Sequence, residues 1–403
     1  MADVVDFGTL GTSARPSFEP RSKDVSQRVK KIAYLVHDLT DSAVHRRLRM
    51  LVAGGAAVTP IGFRRQGPPV REIEGLEAVD LGQTEDGRLL RRLFSVAGAS
   101  VATRRFAEAL AGADVILARN LEMLTIAARA RRRHAAPARL VYECLDIHRL
   151  LLSHGLEGRL LRRLETRLWR SVDLLLTSSA SFVEHYFKPR RFPGEIWLLE
   201  NKVLVLRDRE LPEATTPRAP GPPWRIGWFG MLRCHKSLEL LGDLARDAGG
   251  AVEIVLRGRP SASVFPDFDA AISRYPHLRF EGPYRSPQDL RALYGDVHFS
   301  WTVDYFEEGQ NSAWLLPNRV YEGTLYGAVP IYQRGVETSR WLAGHGVGVE
   351  LDGLVERGFA DFFHRLDAVT YARLVDKVRT VPRRDLVVDR ADCRELVEVL
   401  CGR

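Results

Sequence analysis

The chain has 403 residues, 45% of them apolar, and carries 59 Lys and Arg against 51 Asp and Glu, a formal net charge of +8. That length suggests two or three domains with ample core, which excludes a disordered chain or a small disulfide-stapled one. The four cysteines, Cys144, Cys234, Cys393 and Cys401, form no C-x-x-C pair, so neither a zinc site nor a disulfide framework is expected and a reducing compartment fits.

The opening MADVVDF is acidic where an export signal is basic, and no run of about 18 apolar residues occurs. Neither signal-directed secretion nor a spanning helix is expected. Residues 1–28 are polar and without periodicity and read as a tail, docked or mobile. A first unit over 29–205 then alternates strand and helix. KIAYLV (31–36) is a strand, HDLTDS (37–42) a loop, AVHRRLRMLVAGG (43–55) a helix ending at glycines, and AVTPIGF the next strand. ADVILARN (113–120), ARLVYECLD (138–146) and VDLLLTSSA (172–180) are apolar runs followed by helical segments, the rhythm of a buried parallel sheet.

Charge is uneven along the chain: residues 1–200 carry +9 and residues 201–403 carry −1. Two stretches concentrate it beside apolar residues, 88–106 and RLLLSHGLEGRLLRRLETRLWR (149–170), and both read as helices. Each is either an ordinary amphipathic helix with a solvated arginine face or a surface that lies on anionic lipid. No aromatic-interleaved basic strand or helix-turn-helix spacing accompanies the charge, so nucleic acid is not an expected partner.

Residues 206–223 read as a linker, because LPEATTPRAPGPP (211–223) places three prolines and a glycine in its last six residues. The rhythm restarts over 224–380. WRIGWFG is a strand and turn, SLELLGDLARDAG a helix, AVEIVLRGRP and LRFEGPY strands, DLRALYGD a helix, VHFSWTV a strand, and AVPIYQ a strand after a helical stretch around Glu322. Helical residues 371–378 follow. The segment 381–403 is expected to form a C-terminal helix, at 391–401, that packs back on the first unit. The fold class is therefore α/β, two Rossmann-like doubly wound domains facing a cleft, with ligands at the carboxyl ends of the strands.

Three segments of the second unit resemble the nucleotide-binding domain of GT-B glycosyltransferases, in particular family four. GMLRCHKS (230–237) follows a strand and opens a helix, where amides and cations stabilise phosphate charge. IVLRGRP (254–260) ends a strand in a glycine loop, and LPNRVYEGTLYGAVPI (316–331) resembles the family segment whose acid holds the donor ribose. The resemblance implies Gly230, Arg233, Lys236, Arg257, Arg319 and Glu322 as donor-binding residues. Departures occur at Met231, where the family has arginine, and at Trp314, where it has a second glutamate. In the loop before, Asp304, Glu307, Glu308, Gln310 and Asn311 are open to the sugar, with Gln310 and Asn311 taken as donor-binding. For Glu322 alone, a charge favouring the start of a helix is the structural alternative.

The first unit's RLVYECLDIH (139–148) resembles a family strand ending in tyrosine, acid, apolar residue, histidine and aspartate, with Leu145 at the histidine position and Asp146 kept. With the His37-Asp38 pair it also resembles the inverting glucuronosyltransferase of xanthan assembly, whose matching aspartate is the base. An inverting transfer needs one base within hydrogen-bond reach of the acceptor hydroxyl. Asp146 is that expected base, with His37, Asp38, Asp41 and His148 binding the acceptor. No cofactor and no metal are expected: the one D-x-D string, Asp267 to Asp269, reads as a helix start, and Lys236, Arg233 and helix amides can neutralise the leaving group.

The resemblance implies a cytoplasmic enzyme, peripheral on the inner face of the membrane. It would move a sugar from a nucleotide donor, a UDP-sugar, to a polyprenyl-diphosphate-linked glycan in exopolysaccharide assembly, beside an anionic membrane surface. Three readings stay open beside it: a retaining family-four-like transferase, a sugar-nucleotide epimerase, and a degenerate GT-B module that only binds.

Overall fold

The computed structural model describes residues 28–403 except 66, 85–106, 136, 208–217 and 353–357. The tail up to residue 27, the basic stretch 88–106 and most of the proline-rich linker lie outside the described residues.

Seven parallel strands form the first sheet, in the spatial order Val79–Gln83, Ala57–Arg64, Lys31–Val36, Val115–Arg119, Arg139–Cys144, Leu174–Thr177 and Glu195–Leu198. The central strands read as nearly continuous apolar runs because both faces are covered. Alternate residues feed two different cores: Ala33, Leu35, Ile116 and Ala118 enter one, and Ile32, Tyr34, Val36, Val115 and Leu117 the other. The second sheet has six parallel strands in the order Leu278–Phe280, Val252–Pro260, Trp224–Leu232, Phe299–Trp301, Val329–Tyr332 and Val349–Glu350. Each sheet thus reverses its winding beside its first strand, where a crevice opens at the carboxyl ends. Those two crevices face one another.

The halves are stitched at a two-stranded parallel sheet, Val203–Leu204 with Val387–Val388. Strand alternation sends Val203, Val205 and Val387 into the core of the second half and Leu204 and Val388 into that of the first. The final helix, Arg390–Leu400, lies on Ser42–Ala53 of the first half, so close that a Cβ at Gly54 would collide with the carbonyl oxygen of Cys393.

One expected helix is two. Residues 149–170 divide into Arg149–Leu152 and Leu156–Trp169, broken at Ser153, His154 and Gly155. The break lets the second helix fold back on the first, which is why residue 158 is a glycine: a Cβ there would strike the carbonyl oxygens of Ser153 and Leu150. The D-x-D string is a helix start, with the Asp267 carboxylate accepting from the Ala270 amide at 2.9 Å.

Candidate active site

The candidate donor side is built on the carboxyl ends of two paired strands. Gly230 and Gly258 stand opposite each other in parallel register. Gly230 has φ +111°, a conformation side chains disfavour, and a Cβ at Gly258 would overlap the Gly230 carbonyl oxygen. Chain direction then changes abruptly, and Cys234 caps the helix His235–Asp247 through its sulfur, which accepts from the Ser237 amide at 3.4 Å. Lys236 lies in the first turn of that helix. Its ammonium sits 2.7 Å from Glu308 and 4.1 Å from the centre of the Tyr305 ring. Arg233 stacks over Phe306 at 4.4 Å and reaches to 4.0 Å from Asp304. An anion placed here would exchange with Glu308 for an exposed cation, which is a small penalty.

Asp304 joins this end to the next. Arg319 donates to the Val303 carbonyl at 2.9 Å and lies 3.6 Å from the same Asp304 carboxylate, and its Nε is buried with no hydrogen-bond partner. One helical turn on, Glu322 is buried and accepts from the Tyr294 hydroxyl at 3.1 Å. It is the fifth residue of the helix Asn318–Leu325, too far along for a charge that favours the amino end. Burial pushes its carboxyl above the ordinary glutamate range, against the pull of Tyr294, Arg46 and Arg319. Arg46, from the first half, shares a cleft cavity with Glu322, Asn318, Ser286 and Arg49. Arg257 donates to the Pro283 carbonyl at 2.9 Å beside this group, and Gln310 is exposed just before the helix Asn311–Trp314.

Asp146 stands across the cleft, just beyond the strand Arg139–Cys144. Asn311 of the second half holds this loop twice: its amide nitrogen donates to the Asp146 carboxylate, and its amide oxygen accepts from the Ile147 nitrogen at 3.3 Å. Asp146 keeps surface open to solvent. The cleft walls crowd its carboxylate nonetheless, and this loss of water raises its pKa, with Arg233 and Asn311 opposing and Asp304 assisting. The nearby Glu307 is raised as well, by burial and by Asp146 itself. The structure thus brings Asp146, expected as the base, near Asn311 and Arg233, expected at the donor, from three separate segments.

The acceptor candidates divide. Asp38 is buried, accepts from the Thr40 amide and hydroxyl at 2.9 and 2.7 Å, and pairs with Arg65 at 3.1 Å, which are turn-building contacts. Asp41 caps the helix Ser42–Ala53 through the Ala43 amide at 2.9 Å. His148 caps Arg149–Leu152, accepting from the Leu150 amide at 3.2 Å. His37 sits at the crevice of the first sheet, its Nδ1 3.3 Å from the Asn120 side chain and its Nε2 3.8 Å from Asp41. Burial and then Arg119 push its pKa down to about 4, so the imidazole is neutral at neutral pH.

Beneath His37 lies a buried charge cluster that sequence reasoning missed. Glu143, with no exposed surface, accepts from the Tyr34 hydroxyl and from Arg47 at 2.6 Å, and Arg119 lies 3.6 Å away. Burial opposes its charge, but Arg47, Arg119 and the Tyr34 hydroxyl together hold its pKa below the ordinary value. Asn120 takes φ +69° at this corner, a strained conformation for a residue with a side chain. The available signal was a charge inside apolar runs, as in VILAR and RLVYE.

Further contacts close the cleft beside Asp146. Ser181 donates to Glu337 at 2.5 Å, Arg340 pairs with Glu184 at 2.9 Å, and Trp314 stacks on His185 with ring centres 5.5 Å apart. Among the described residues no helix is long and apolar enough to cross a membrane.

No family model matches the sequence. The chain is 47% identical over 376 residues to the succinoglycan biosynthesis protein ExoL of Rhizobium meliloti, covering 92% of this chain and 93% of that protein. Among solved structures, Anabaena HepE in complex with UDP and glucose superposes with a TM-score of 0.63 at 14% identity, over 93% of this chain and all of that one. Sucrose-phosphate synthase from Thermosynechococcus elongatus gives 0.64 at 12% identity over 92% and 96% of the two chains. The lipopolysaccharide outer core galactosyltransferase WaaB gives 0.56 at 15% over 92% and 96%.

Proposed function

Because the chain belongs to the family of the succinoglycan biosynthesis protein ExoL and has the GT-B fold, we propose that it transfers a sugar from a nucleotide donor, a UDP-sugar, to a polyprenyl-diphosphate-linked oligosaccharide in exopolysaccharide assembly. The observation that carries this reading is the string of charged side chains crossing the cleft: Glu322 and Arg319, then Asp304 and Arg233, then Asp146. Glu322 accepts from the ribose hydroxyls. Arg233, Lys236 and the amides opening the helix His235–Asp247 take the diphosphate, meeting the charge that develops on the leaving group. Arg257 and Gln310 flank the donor, and Gly230 lets the backbone come close to it.

Asp146 is the base. Its carboxylate withdraws the acceptor hydroxyl proton while that oxygen attacks the anomeric carbon from the face opposite the departing nucleotide, which inverts configuration. Asn311 orients it. His37 and His148 border the acceptor side, and Asp38 and Asp41 shape the loop that carries His37. The acceptor's lipid places the reaction at the inner face of the cell membrane, with the protein peripheral and cytoplasmic.

Incubation of the purified protein with a panel of UDP- and GDP-sugars and lipid-linked glycan from the producing cells tests this. The expected result is transfer from a UDP-sugar, with an α-linked donor giving a β-linked product by proton NMR of the anomeric signal. Retained configuration would overturn the role of Asp146. Interconversion of free sugar nucleotides without transfer would show an epimerase, and nucleotide binding with no turnover a binding module.

A further inference from the structure

The helix Leu156–Trp169 presents a face that the fold does not use. Arg159, Arg163, Arg167 and the capping Arg170 recur at the spacing of one helical stripe, and all four are exposed. With Arg162, Thr166 and Arg190 they line an open cavity of about 530 Å³. Two of these arginines are committed. Arg190 pairs with Glu165 and stacks on Trp169 at 4.4 Å, and Arg162 donates to the Leu151 carbonyl at 2.7 Å. Glu165, the carboxylate below them, has no exposed surface and also accepts from Tyr186 at 2.6 Å and Tyr142 at 3.1 Å. It offers nothing to the outer arginines. Among the described residues Arg159, Arg163, Arg167 and Arg170 make no ion pair. On the neighbouring stripe Leu156 and Leu160 are 71% and 63% exposed.

We propose that this face docks the protein on an anionic phospholipid surface, with the four arginines among lipid phosphates and Leu156 and Leu160 in the acyl boundary. A soluble phosphate would call for cations converging on one point and would gain nothing from exposed leucines. Here four cations are strung along about 16 Å of helix, the width of several headgroups, beside an apolar strip. Charge and shape therefore fit a surface.

The face is also tied to the candidate chemistry. Arg162 fastens this helix to the Arg149–Leu152 turn, and Leu156 lies ten positions after Asp146. Docking would turn the Asp146 side of the cleft toward the bilayer that holds a lipid-linked acceptor. The purpose of the surface rests on the proposed reaction, whereas its existence does not.

Flotation of the full chain with phosphatidylcholine vesicles, with and without phosphatidylglycerol, measures the docking. Expected is co-flotation only with phosphatidylglycerol, abolished by high salt and weakened roughly tenfold or more by Arg163→Glu with Arg167→Glu. Leu156→Ser with Leu160→Ser weakens it at constant charge. In both variants UDP binding and transfer to a water-soluble acceptor analogue stay at the wild-type level. Wild-type protein that never floats, or flotation indifferent to the charge reversals, overturns the proposal. So does release from vesicles by inorganic diphosphate at constant ionic strength, which assigns the cavity to a soluble anion. Loss of soluble-acceptor transfer in the wild type counts against the proposed reaction alone and leaves the flotation result standing.

Discussion

Asp146 and Arg233 come from opposite halves, and the Arg233 charge acts on Asp146 in a direction that can be measured. A base works only when ionised, so activity falls as pH drops through the Asp146 value, which burial raises. Arg233 counters that rise. Replacing it with methionine therefore moves the acid limb of the pH–rate profile to higher pH, and a limb that stays in place or moves down contradicts the assignment. Glu143 makes the opposite kind of statement. Its pKa is held low in the folded state, so its stabilising contribution is complete above the ordinary carboxylate range and is lost as pH falls through the lowered value. Arg47→Met leaves that buried charge short of a partner, and urea unfolding at neutral pH should show a loss of about 3–5 kcal/mol. Asp146→Asn removes a charge that its crowded site disfavours, so it should unfold no earlier than the wild type.

Near the carboxyl ends of two paired strands, at Gly230 and Gly258, backbone geometry does what no side chain could. Gly258→Ala forces a methyl group into the Gly230 carbonyl, so the strand pair must part at the candidate donor crevice. Thermal unfolding should shift down and UDP affinity fall together. Gly344→Ala, at the end of the helix Glu337–Gly344 with nothing near its Cβ, should be neutral or gain up to about 1 kcal/mol. At this scale the sequence was legible wherever a local rule governs. KIAYLV is the strand 31–36 residue for residue, because a parallel strand buried on both faces reads as a nearly continuous apolar run, here Ile32 to Val36. The single helix drawn through 149–170 failed because its apolar spacing persists across Ser153, His154 and Gly155, and only the fold-back onto the Arg149–Leu152 turn reveals the break. The cluster of Tyr34, Arg47, Arg119 and Glu143 was hidden for a related reason: its members come from four segments, and only the order of the sheet makes them neighbours.

The whole molecule is two crevices brought face to face by the short sheet of Val203–Leu204 and Val387–Val388, whose alternate residues belong to different cores. The candidate donor groups lie on one side and the candidate base on the other, so binding and chemistry should separate by half. Titration of UDP combined with steady-state transfer, on Asp146→Asn and Glu322→Gln in parallel, tests that division most directly. Asp146→Asn should bind UDP like the wild type and lose about 100-fold or more in kcat. Glu322→Gln should bind UDP roughly tenfold more weakly and keep kcat within a few fold. Normal turnover in Asp146→Asn, or equal loss of UDP affinity in both variants, would contradict the account.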